Sequence, residues 1–102
     1  MSEERRGLRR YSVNEQIALT ILSGERLRIQ ALLKNYSAKG LCVFLYQALP
    51  VGSPVSLRTA EVLMLGEVVW CQCAGDGYEA GIELEHTLDI HQLRSLIEDF
   101  SS

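Results

Sequence analysis

Residues 62–85 read VLMLGEVVWCQCAGDGYEAGIELE, and how this stretch is divided decides the fold. Two apolar runs, VLMLGEVVWC (62–71) and YEAGIELE (78–85), flank CAGDG (73–77), a turn with two glycines. Such runs bounded by Gly and Asp are strand signals. Upstream, SPVSLRT (53–59) follows the turn LPVG (49–52), and LCVFLY (41–46) follows Gly40. Earlier still, IALTIL (17–22) and LRIQALL (27–33) flank Ser23-Gly24-Glu25, a hairpin connection. The chain therefore reads as about six strands, spaced too closely for crossover helices, so the pairing is antiparallel. A small all-β barrel is the expected architecture, preferred to a sandwich because closing the sheet removes its edges.

The period changes at DIHQLRSLIEDF (89–100). Leu93, Leu96, Ile97 and Phe100 fall at i, i+3, i+4 and i+7, one stripe of an amphipathic helix, with Asp89 as its N-cap. This C-terminal helix is expected to pack on the barrel. At 102 residues and 47% hydrophobic content the chain is one domain with one core. Residues 1–12 read as a flexible basic arm and 13–102 as the barrel domain with its helix.

The longest apolar run, VLMLGEVVW, contains Glu67 and is far shorter than the roughly 20 residues that span a bilayer. The charged start is not followed by the apolar core of a signal peptide. The expected location is cytoplasmic, without membrane insertion. Cys42, Cys71 and Cys73 form no disulfide framework. Cys71 and Cys73, with His86 or His91, have the wrong spacing for a zinc knuckle, so no metal is expected and the cysteines read as small core residues.

The charge is unevenly placed. RRGLRR puts Arg5, Arg6, Arg9 and Arg10 into six positions, four of the ten basic residues. From Tyr11 onward six basic residues face eleven acidic ones, a balance of −5. A protein that tracks a duplex backbone spreads its basic charge over a face, so DNA is not the expected partner. A compact ligand bearing phosphates suits a local arginine cluster better.

A second polar stretch, NYSAKG (35–40), lies between two strands. Asn, Ser and Gly are what an ordinary tight turn uses, for local hydrogen bonds and positive φ. Asn35 and Ser37 are two positions apart, so if the strand persists through them they share a face and together offer donors and acceptors to a purine edge.

Taken together the two stretches resemble the PilZ domain family, receptors for the bacterial second messenger cyclic di-GMP. The family's signature is R-x-x-x-R in an N-terminal arm, followed by [D/N]-x-S-x-x-G at a strand junction. Arg6-Gly7-Leu8-Arg9-Arg10 and Asn35-Tyr36-Ser37-Ala38-Lys39-Gly40 supply the two elements here. Arg5 and Arg9 also fit the first spacing; Arg6 and Arg10 are favoured because Arg10 directly precedes the first strand region. Asn35 stands where Asp is commoner, which removes a charge that could pair with an arginine or with guanine N–H groups. The resemblance continues through LPVGSPVSL, GEVVW and GYEAGIELEH into the last helix, and it implies the same barrel-plus-helix fold.

The resemblance implies cyclic di-GMP as ligand, bound by Arg5, Arg6, Arg9, Arg10, Asn35, Ser37 and Gly40. Guanine presents O6 and N7 acceptors that an arginine fork matches bidentately, and arginine also forks phosphate and stacks on rings. Trp70 either packs against a base or is an aromatic of the barrel core. No G-x-S-x-G, H-E-x-x-H or glycine-rich phosphate loop with its lysine is present, so no enzymatic activity is expected. The expected protein is a receptor and adaptor, a monomer or weak dimer, whose arm orders over the ligand and whose signal passes to an effector protein in motility, exopolysaccharide or biofilm control. The competing reading is an interaction module with the same fold that binds no nucleotide.

Overall fold

The computed structural model describes residues 11–92. Six strands, β1 (Tyr11–Ile21), β2 (Leu27–Tyr36), β3 (Gly40–Leu45), β4 (Pro54–Arg58), β5 (Val62–Ala74) and β6 (Gly77–Asp89), form a closed barrel in the order β1-β2-β3-β6-β5-β4. Every pairing is antiparallel, including the β1–β4 pairing that closes the ring. The expected six-stranded barrel is thus the observed one.

The period-2 alternation explains the core. Ile17 and Leu19 on β1, Ala31 and Leu33 on β2, Leu41, Val43 and Leu45 on β3, and Val55 and Leu57 on β4 all point into the barrel and are buried. Leu49, from the loop after β3, joins the same cluster. The tight turns use glycine where the backbone demands it. Gly24 has φ 65° between β1 and β2, and Gly75 has φ 62° between β5 and β6. Gly75 is the first of two residues between the paired Ala74 and Gly77, and Asp76 after it keeps a negative φ, the pattern of a type II′ hairpin turn.

β1 begins earlier than the apolar run IALTIL, at Tyr11, and β2 continues to Tyr36. The paired residues Tyr11↔Tyr36 and Ser12↔Asn35 are polar or aromatic, so hydrophobic alternation does not mark them. The last two residues of the 1–12 span are therefore strand, and Arg5, Arg6, Arg9 and Arg10 lie outside the described residues.

At the other end Asp89 acts as a cap. Its Oδ1 accepts from the backbone N–H of His91 at 2.7 Å and of Gln92 at 3.4 Å. Residues 90–92 are helical, Ile90 is buried, and its N–H donates to the Glu61 carbonyl at 2.9 Å, which fixes the helix start against the β4–β5 connection. The stripe Leu93, Leu96, Ile97 and Phe100, and with it the packing of the helix on the barrel, falls outside the described residues.

Candidate functional site

The turn between β2 and β3 is built from its own polar groups. β2 ends at Tyr36, so the strand does not persist through Ser37. Instead the Ser37 N–H donates to the Gly40 carbonyl at 2.8 Å, and the Ser37 hydroxyl reaches the same oxygen at 3.4 Å. Ser37 is 8% exposed, unusually buried for a loop serine, and the Lys39 carbonyl accepts from Leu84 N–H at 2.8 Å, which pins the turn to β6.

Gly40 is required for a reason other than positive φ. Its φ is not positive; the described residues confine positive φ to Gly24, Gly52 and Gly75. A Cβ on Gly40 would lie 2.7 Å from the Ile82 carbonyl oxygen of β6, closer than real Cβ atoms come. The glycine permits two backbones to approach rather than a sharp bend.

Two β-bulges decide which way Asn35 and Trp70 face. Counting by twos from the inward Leu33, Asn35 would enter the barrel, but the register shifts between them, and Asn35 pairs with Cys42 on the outer face. The same happens on β5. Val68 is fully buried, and an uninterrupted strand would put Trp70 in the core; the shift between Val68 and Trp70 turns both Val69 and Trp70 outward, at 43% and 40% exposure. Trp70 is therefore not a barrel core aromatic.

These bulges bring residues of five strands into one paired row. Ser12 pairs with Asn35, Asn35 with Cys42, Cys42 with Gly81, and Gly81 with Trp70, crossing β1, β2, β3, β6 and β5. Above the row lies an open cleft of about 270 Å³ lined by Ser37, Lys39, Gly40, Cys42, Trp70 and Glu83, among others. Ser37, Gly40 and Trp70 thus meet in one cleft. Asn35 does not line it but is one strand away from Cys42, which does.

A family model for the PilZ domain matches residues 3–101. The chain belongs to the PilZ domain family. The match covers all four arginines of the arm as well as the Asn35–Gly40 turn. No curated protein matches the chain.

Within this PilZ domain, the sequence pattern does not mark Lys39, Cys42, Gly81 or Glu83 as cleft residues. Lys39 stands in NYSAKG, and Gly81 and Glu83 stand in GYEAGIELEH; only the register across β3, β6 and β5 shows that they meet. The cysteines divide three ways. Cys42 is buried outside the core cluster, Cys71 packs against that cluster and accepts from Leu49 N–H at 3.4 Å, and Cys73 is exposed. Small buried residue thus describes Cys42 and, in part, Cys71, but not the exposed Cys73 near the β5–β6 turn. His86 and His91 are exposed. Among the described residues no group of three His, Cys, Asp or Glu side chains could hold a metal ion. No described helix is long and apolar enough to cross a membrane.

A larger cavity of about 680 Å³ opens at the barrel end beside Thr59–Val62, lined by Leu33, Tyr36, Leu41, Met64, Leu84 and Thr87, among others. Ser37 and Leu41 line both cavities, so the turn after β2 is their common wall.

Proposed function

We propose that this PilZ domain is a cyclic di-GMP receptor that works as an adaptor without chemistry of its own. The observation that carries the reading is the convergence of Ser37, Gly40 and Trp70 on one cleft, beside the Asn35 row whose first member, Ser12, adjoins the point where the arm joins the barrel.

The dimensions support a shared site. At about 270 Å³ the cleft is below the ≈300–1,000 Å³ of sites that enclose a whole ligand, so it suits one guanine while the phosphates and second base lie over the row. Trp70 supplies a ring for that base to stack on. The Ser37 hydroxyl, its hydrogen directed at Gly40 O, keeps lone pairs to accept from guanine N–H groups, and the Asn35 amide can both donate and accept. Along the row β1 and β5 lie four strand spacings apart, about 19 Å measured around the outer face of the barrel, and less in a direct line because the barrel is closed. The five backbone steps from Arg6 to Tyr11 span roughly 17 Å when extended, and an arginine side chain covers the remainder. Arg5, Arg6, Arg9 and Arg10 can therefore fork guanine O6 and N7 or the phosphates from above.

Ligand binding would neutralise the repulsion among the four arginines and create a surface of arm, nucleotide and acidic barrel that an effector protein selects. By linkage, that partner tightens nucleotide binding by the factor with which the nucleotide tightens the partner. The regulated process belongs to the class of motility, exopolysaccharide or biofilm control, and the setting is the cytoplasm.

Trp70 is the chain's sole tryptophan, so its fluorescence reports on the cleft alone. Titration with cyclic di-GMP should change it saturably, titration with the ring-opened linear dinucleotide much less, and the cyclic nucleotide should be recovered intact. No response to the cyclic form, with no heat of binding, would leave the non-binding interaction module; a hydrolysed product would make the protein an enzyme.

A further inference from the structure

Gly81 faces Trp70 across the β5–β6 pairing, and the space a side chain would take there is already filled. A Cβ built on Gly81 would overlap the pyrrole half of the indole, contacting Nε1, Cε2 and Cδ1. Gly81 does not have a positive φ, so no backbone conformation calls for glycine at this position. What calls for it is the ring. The indole is seated on the bare β6 backbone, next to Cys42 at the foot of the cleft, and is still 40% exposed.

We infer that Gly81 is a positioning residue for the nucleotide site: its missing side chain fixes the height and orientation of the Trp70 ring as a stacking platform. The inference rests on the receptor reading above and adds to it a specificity-determining position that touches no ligand. The bulge after Val68 turns Trp70 outward; Gly81 then determines where the outward ring lies. Any side chain at position 81 must displace the ring, because backbone lies beneath it and only the ring can move. A displaced ring either fills the cleft or stands away from it, and both remove the surface on which a base would stack. Cys42, the other neighbour of Gly81 in the row, lines the same cleft as the ring.

The test is a double-mutant cycle read by calorimetric affinity for cyclic di-GMP, with Trp70 emission and apo thermal unfolding measured in parallel. Gly81→Ala should weaken binding by roughly five- to a hundredfold, the range for losing one base–aromatic stack, and shift the emission of the apo protein. Trp70→Ala should weaken binding to a similar extent. In the Trp70→Ala background, Gly81→Ala should change affinity less than about twofold, because the cycle then removes nothing further. That double variant also guards against a folding failure: with the ring gone, the added methyl group has room, so it should unfold at the temperature of Trp70→Ala. Equal affinity losses from Gly81→Ala in both backgrounds, or unchanged affinity and emission in the single variant, would overturn the positioning role while leaving the receptor reading intact. A parent chain that binds no cyclic di-GMP would overturn both, whereas an emission shift in Gly81→Ala would still establish the seat of the ring.

Discussion

Ser37 and Gly40 hold the turn between β2 and β3 shut, since a single carbonyl oxygen, that of Gly40, accepts from the Ser37 amide at 2.8 Å and from its hydroxyl at 3.4 Å. The amide bond is the shorter of the two, so the turn should lose little when the hydroxyl is removed. Ser37→Ala should accordingly lower the stability of the ligand-free protein by no more than about 1 kcal/mol and weaken cyclic di-GMP binding by roughly two- to tenfold. Thermal unfolding and a binding titration on the same sample read the two effects. A large loss of stability with unchanged affinity would make the hydroxyl purely structural.

Gly40→Ala brings a Cβ to within 2.7 Å of the Ile82 carbonyl oxygen and should destabilise the ligand-free barrel by about 1–3 kcal/mol, with Gly40→Val worse. Gly24→Ala is the contrast. It meets open space but sits at φ 65°, so its cost should be only the strain of that conformation, about 1–2 kcal/mol. Chemical denaturation measures both. A Gly40→Ala variant as stable as the parent would show that β3 and β6 need not approach so closely.

Arg6→Ala and Arg10→Ala should each weaken cyclic di-GMP binding by roughly ten- to a hundredfold, the loss of a charge-assisted hydrogen bond, and leave unfolding without ligand unchanged. Hydrogen exchange should locate the effect. The amides of residues 5–10 should gain protection when cyclic di-GMP is added, while residues 11 and 12, already paired in β1, should change little. Unaltered affinity in both variants, or no gain of protection at saturation, would remove the arm from the site.

The parts of this protein that can be read from its sequence are those set by local period and turn chemistry. The inward positions Ile17, Leu19, Val55 and Leu57 follow from alternation, Gly24 and Gly75 from tight turns, and the cap at Asp89 from the change to helical period. The site is less legible because bulges break the alternation. Nothing local in GEVVW announces that Val69 and Trp70 both face outward, since the extra residue shows only against Gly81 and Ile82 of the partner strand. Gly40 is visible as a glycine but not as a close approach, because Ile82 is far away in the chain. The pairing of Asn35 with Cys42 is likewise a matter of register between strands.

Calorimetric titration of the full chain with cyclic di-GMP tests the central claim most directly, because one curve gives both affinity and stoichiometry. Binding should be saturable, with one ligand or a stacked pair per chain, and should be abolished or sharply weakened when Arg6 and Arg10 are replaced together. Absence of binding by the parent chain, or binding that is indifferent to both arginines, would contradict the claim.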